Sequence, residues 1–228
     1  SQSEHVLSLL FITLTTLVAM LLFSVVATTI THAFFARLLP PRTLPKLDFK
    51  DGIPSDARTL VVIPTLLGDT DDVTTMLRQI ELHYLSNPDP QLRFALLTDD
   101  IDTTARPRQQ QENPLLERAV QGIDALNEKH GSAGHGPFHL LHRSPRWNRG
   151  EERFMGWERK RGKLLELNRL LRGDTQTSYA RHVGDPGGLL DIRFVITLDS
   201  DTELPTGSAH RLVGLLAHPL NRAVFRDD

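Results

Sequence analysis

The chain has 228 residues, no cysteine, and a formal net charge of −2 from 26 Lys and Arg against 28 Asp and Glu. That balance argues against a protein that binds nucleic acid over its whole surface. The missing cysteines rule out disulfides, thiolate metal ligands and a cysteine nucleophile.

From Val6 to Ala36 the sequence reads VLSLLFITLTTLVAMLLFSVVATTITHAFFA, with no Asp, Glu, Lys or Arg. About 20 apolar residues suffice to cross a bilayer. A signal peptide would carry a basic n-region and a shorter apolar core, whereas this chain starts SQSEH. Residues 1–37 are therefore expected to be a membrane helix and the lipid bilayer a partner. Arg37, Arg42, Lys46 and Lys50 follow the helix and only Glu4 is charged before it. The positive-inside rule then puts everything after residue 37 in the cytoplasm.

Residues 38–58, LLPPRTLPKLDFKDGIPSDAR, are rich in proline and charge and read as a juxtamembrane linker. The rest, 59–228, alternates strand and helix signals. TLVVIP (59–64) is a short buried-strand run closed by proline. Val73, Met76, Leu77, Ile80 and Tyr84 have helical spacing, with Asp69 or Thr70 as the cap. LRFALLT (92–98) is a second strand that ends at Asp99-Asp100. A polar loop leads to a helix with Asn113 at its N-cap, Pro114 in its first turn and Gly131 at its end. FHLLH (138–142) is a third strand. A helix starting near Trp157 shows Leu164, Leu167 and Leu171 on one face and ends at Gly173. Residues 174–191 read as a loop, RFVITL (193–198) as a fourth strand, and a last helix runs from a Thr206 or Ser208 cap to Ala217. This order implies βαβ units and a mostly parallel sheet flanked by helices. Ligands of such sheets gather at the carboxyl ends of the strands, where both acidic clusters fall.

In LDSDT, Asp199 and Asp201 are two apart. On an extended backbone both carboxylates project the same way, a hard-oxygen pair suited to Mg²⁺ or Mn²⁺ shared with a substrate phosphate. The alternative is an Asp-rich turn without metal. Asp99 and Asp100 are either turn formers or acceptors for a nucleotide's base or ribose. GWERKRGKLLELN (156–168) is not a nucleotide triphosphatase P-loop: five residues separate Gly156 from Gly162, Leu164 follows Lys163, and no apolar strand precedes it. Arg159, Lys160, Arg161 and Lys163 are instead a solvated basic face or a charge source beside a diphosphate. Trp147 and Trp157 read as packing residues, and the histidines show no metal-ligand spacing.

The VVIPT strand, LLTDD, WERKRGKLLELNRLLRG and FVITLDSDTELP, in that order, resemble the glycosyltransferase region of cyclic β-1,2-glucan synthases, a GT-A-like (Rossmann-like) region of family 84. HRSPRWNRGEERF and RLVGLLAHPLNRAVF add to the resemblance, which covers residues 58–228. It implies a bacterial inner-membrane enzyme, multi-pass at full length, that transfers glucose from UDP-glucose to a growing β-1,2-glucan with inversion. It places the D-x-D metal site on Asp199 and Asp201, nucleotide-sugar contacts on Asp99, Asp100 and Asp199, and further contacts on Lys160 and Lys163. The family's general base and its Gln/Arg/Trp acceptor segment lie after the D-x-D, and neither precedes Asp228. The expectation is therefore a donor-binding portion that is inactive in transfer alone. A GT-A transferase for another sugar or acceptor is the enzyme alternative. A non-catalytic membrane-tethered binding module is the alternative outside enzymes.

Overall fold

The computed structural model describes residues 2–39, 43–105, 113–131 and 136–224. Arg42 of the basic flank, much of the polar loop before residue 113 and the last four residues lie outside them. The chain forms two units, Ser1–Leu44 and Pro45–Asp228. The first is a single helix, α1 (Gln2–Leu38), of 37 residues. At 1.5 Å per residue it is about 55 Å long, against a hydrocarbon core of about 30 Å. Among the described residues it is the one helix long and apolar enough to cross a membrane.

The second unit is a mixed α/β layer structure. Its central sheet has the order β6-β3-β2-β1-β7, from β1 (Thr59–Leu67), β2 (Leu92–Asp100), β3 (Phe138–Arg143), β6 (Tyr179–Val183) and β7 (Phe194–Thr197). Strands β7, β1, β2 and β3 are mutually parallel and β6 is antiparallel to β3. Among the described residues four α-helices follow the linker: α2 (Thr70–Ser86), α3 (Pro114–His130), α4 (Arg159–Leu171) and α5 (Ser208–Ala217). Strands β4 (Arg146–Asn148) and β5 (Arg153–Met155) form a separate hairpin before α4.

The two-residue period of the strands sorts side chains between two cores. Val61, Ile63, Phe94, Leu96, Phe138 and Leu140 face α2, α3 and α5, while Leu60, Val62, Ala95, Leu97 and Leu141 pack with Leu167 of α4. Capping follows the sequence at two helices. Asp69 accepts from the Asp71 and Asp72 amides, and Asn113 from those of Leu115 and Leu116.

The structure departs from the sequence reading in several places. β1 runs through Pro64 to Leu67 because β7 pairs only with Thr59–Val62, so beyond that point β1 has a free side where proline costs no ladder bond. Asp99 and Asp100 are the last residues of β2, paired with Leu66 and Leu67, so the strand runs two residues past the expected 92–98. Residues 174–191, read as a loop, contain the edge strand β6, whose exposed, polar ARH carries no apolar alternation to announce it. The stretch before α4 contains the β4–β5 hairpin, equally polar. The cap of α5 is Gly207, at φ +70, rather than Thr206 or Ser208. Within the expected linker, the Leu47 amide bonds to the Gly214 carbonyl at 2.9 Å. Ile53 and Ala57 are buried in the core as well, so this stretch packs onto the globular unit from Pro45 onward.

Candidate nucleotide-binding site

The register that builds the two cores also separates the two adjacent aspartates. Asp99 follows Ala95 and Leu97 onto the α4 face of the sheet, where Arg143, following Leu141, joins it from β3. Asp100 follows Phe94 and Leu96 onto the other face, with Thr98 and His142. Asn113 of the α3 cap donates to Asp100 Oδ1 at 2.7 Å, and His142 Nε2 lies 3.7 Å from Asp100 Oδ2. Asp100 is therefore tied to α3 and does not line the cavity described below.

On the α4 face the centre is Arg143, fully buried and absent from the candidates read from sequence. Its Nε and Nη2 each donate to an oxygen of Asp99 at 2.8 Å, a bidentate geometry particular to arginine. Its Nη1 donates to the Trp157 carbonyl at 3.0 Å and its Nη2 also to that of Arg159 at 3.1 Å. Glu166 Oε1 lies 3.6 Å from Nη1. Lys163 Nζ lies 3.2 Å from Asp99 Oδ2 and donates to the Thr65 and Leu97 carbonyls at the ends of β1 and β2. Two cations and two anions thus close a buried, charge-balanced group across the ends of β1, β2 and β3 and the first turns of α4.

The titration of these groups follows from their surroundings. Burial opposes the charge on Arg143, but the hydrogen-bonded Asp99 outweighs it and holds the guanidinium above its usual range. Burial pushes the Lys163 ammonium down, against the pull of Asp99. Burial would raise Glu166, yet the Ser178 hydroxyl and amide, the Thr177 hydroxyl and Arg143 bring it below the usual carboxylate range.

Arg143 also accounts for the backbone at the start of α4. Glu158 and Arg159 sit at φ +52 and +46, a left-handed region costly for residues with a Cβ. Such strain persists where surrounding contacts over-determine it, and the carbonyls flanking Glu158 are the two that Arg143 binds. This turn delays α4 from the expected Trp157 to Arg159. Gly156 fits because a Cβ there would collide with Asp99 and Arg143, and Gly162 because one would collide with the Trp157 carbonyl. The two glycines that suggested a phosphate loop instead make room for this turn.

Above the group lies an open cavity of about 450 Å³, lined by Pro64, Thr65, Leu66, Asp99, Ile101, Asp102, Arg153, Gly156, Arg159, Lys160 and Lys163. Asp99, Lys160 and Lys163 therefore line one cavity. Asp199 joins through its ion pair with Lys160. Asp201 is exposed, just after β7. The Asp199 carbonyl accepts the Thr202 amide at 3.0 Å, so the D-x-D segment turns. The extended geometry expected for it does not hold. Among the described residues no three His, Asp or Glu side chains converge as a metal cage.

No protein-family model matches the chain. Over 194 residues it is 43% identical to the cyclic beta-(1,2)-glucan synthase NdvB of Rhizobium meliloti (strain 1021). Those two sequences are related. The match takes in 85% of this chain and 7% of that protein's length. It supports the resemblance read from VVIPT, LLTDD, the α4 motif and LDSDTELP.

Arg143, Glu166 and Arg153 escaped the sequence reading. The one signal for Arg143 was its place at the end of an apolar strand, FHLLHR, where a charge that must be buried needs a partner. Glu166 looks like any helix-surface glutamate until the Thr177 and Ser178 donors fold against it.

Proposed function

We propose that residues 45–228 form the donor-binding part of a membrane-bound inverting glycosyltransferase that transfers glucose from UDP-glucose to a growing β-1,2-glucan. The observation that carries this reading is the cavity at the carboxyl ends of β1 and β2. It joins four cationic side chains to two apolar lips, Leu66 and Ile101, in a chain related to a glucan synthase. Cations suit a diphosphate, and apolar edges suit a nucleoside. Inversion follows from making a β-linkage out of an α-linked donor.

In this reading Lys160 and Arg159 meet the diphosphate at the rim. Lys163 and Asp99 form the floor, held by Arg143. Both Asp99 oxygens are already taken, so its contribution is to fix the position and charge of Lys163. Asp100 contributes by anchoring the α3 cap beside the site. Asp199 and Asp201 are exposed carboxylates with the hard oxygens that Mg²⁺ or Mn²⁺ prefers. Asp199 and Asp201 would hold the ion, which would supply positive charge against the leaving diphosphate. Lys160, paired with Asp199, would stand beside the same phosphates. α1 is proposed to anchor the enzyme in a bacterial inner membrane with residues after 37 in the cytoplasm.

The engagement of both Asp99 oxygens and of one Asp199 oxygen by cations of the chain itself is what favours a second reading, a tethered module whose acidic clusters are structural. Calorimetric titration of the detergent-solubilised chain with UDP-glucose, with and without Mn²⁺, decides between them. The donor site predicts metal-dependent binding that Asp201→Ala abolishes. A folded chain that binds no UDP-glucose with Mn²⁺ present, or binds it equally well as Asp201→Ala without metal, refutes the assignment.

A further inference from the structure

Four cationic side chains line the cavity, Arg153, Arg159, Lys160 and Lys163, and three of them already hold a carboxylate. Arg159 Nη2 lies 3.0 Å from Asp102 and 2.8 Å from Glu151. Lys160 is paired with Asp199, and Lys163 with Asp99. Arg153 differs. Among the described residues it has no carboxylate partner, and its Nε donates only to the Glu151 backbone carbonyl, at 3.3 Å.

Its place is set by the hairpin. In β5 the side chains of Arg153 and Met155 share one face and Phe154 takes the other. Met155 is buried at 3% exposure, so that face is turned to the domain, and Arg153 lines the cavity from it. Phe154 is pinned from the loop after β2: its amide donates to the Thr103 carbonyl at 2.7 Å, and its carbonyl accepts the Thr103 amide at 3.0 Å. On its other side Phe154 meets Trp147 of β4 edge to face, with ring centroids 5.0 Å apart. The residue before Phe154 is thereby held at the cavity rim although its own side chain is exposed.

An anion that meets Arg159, Lys160 or Lys163 must compete with an existing carboxylate. One that meets Arg153 gives up only water and a weak bond to a carbonyl, and gains a planar fork of donors matched to phosphate. We propose that Arg153, presented by the β4–β5 hairpin, is a further residue through which the site recognises the diphosphate of its nucleotide. This rests on the donor-site reading above and makes the hairpin a specificity element of that site.

The test is titration of the detergent-solubilised full chain, with Mn²⁺ present throughout, with UDP and with uridine, which shares base and ribose but has no phosphate, in wild type, Arg153→Ala and Arg153→Lys. Arg153→Ala is expected to weaken UDP by roughly tenfold, the worth of one charge-assisted hydrogen bond, and to leave uridine unchanged. Arg153→Lys recovers part of the loss, since the charge survives without the fork. Thermal unfolding of all three should coincide. If UDP affinity is unchanged in Arg153→Ala, or UDP and uridine weaken by the same factor, the inference is overturned while the donor site stands. A wild-type chain that does not bind UDP overturns both.

Discussion

Replacing Arg143 by Met keeps an unbranched apolar stem and removes the guanidinium and its charge from the interior. Asp99 then keeps only Lys163, Glu166 loses its nearby guanidinium, and the Trp157 and Arg159 carbonyls lose their donor. Breaking a buried pair by deleting one partner costs about 3–5 kcal/mol, because the remaining charge is stranded. The orphaned carbonyls and the strained turn they hold add to that cost. Removing the charge of Asp99 as well, in Arg143→Met/Asp99→Asn, leaves Lys163 and Glu166, one cation and one anion. The double variant should therefore lose less than the sum of the two single losses, by at least about 1 kcal/mol. Urea denaturation followed by tryptophan fluorescence is the assay, since both tryptophans, Trp147 and Trp157, flank this region. Equal m-values across the set would show that the unfolding reaction is the same one. Arg143→Met within about 1 kcal/mol of wild type, or strict additivity in the double variant, would refute a coupled, buried group.

His139 is fully buried, with its Nε2 unpartnered and its Nδ1 3.4 Å from His182 Nε2. Burial, with the charges of His182 and Arg93, pushes it down to about 3. Between that value and 6.5 the unfolded chain binds the proton and the folded chain does not. Stability therefore falls as pH drops below 6.5, by up to about 1.4 kcal/mol per pH unit for one proton. His139→Leu should flatten the dependence by about that one proton, and urea midpoints at pH 7 and 5 that shift alike in both proteins would contradict it. In membrane preparations the chain should resist extraction by alkaline carbonate. Asp at Leu14, Val18 and Leu21, each costing roughly 2.5–3.5 kcal/mol at the centre of a span, should release it, and full retention of that variant in the pellet would argue against α1 as the anchor.

What the sequence made legible was whatever a period or a cap could carry. The apolar run of α1, the helical spacing from Val73 to Tyr84, the Asn113-Pro114 start and the apolar cores of β1 to β3 all announce themselves. β6 and the β4–β5 hairpin did not, because a strand at an edge or outside the sheet has little apolar area to bury. At the site, the structure places Asp99, Lys160 and Lys163 around one cavity and Asp100 outside it. Asp99 and Asp100 are neighbours in sequence with the same side chain. Only the register of β2 against β3, fixed by which of Phe94 and Ala95 faces which helices, decides that one enters the cavity and the other does not. Lys163 reads as one more cation in ERKRGK, yet at 3% exposure it is an interior group.

The burial of Lys163 and Arg143 also bears on how such a site handles a doubly charged phosphate group. A floor of exposed lysines would have to be ordered at the moment of binding, and each long side chain would lose rotamer freedom then. Here the floor is ordered during folding, by Asp99, by two strand-end carbonyls and by the left-handed turn at Glu158. Preorganised charge of this kind needs no rearrangement when a ligand's charge arrives. What stays adjustable is the rim, where Lys160 is paired with Asp199 beside the cavity and Arg153, among the described residues, has no carboxylate to leave. In the proposed donor site, affinity for the nucleotide should therefore respond to changes at the rim, and stability to changes at the floor. A substitution that moves both together would have to touch the one element belonging to each, the turn from Gly156 to Arg159.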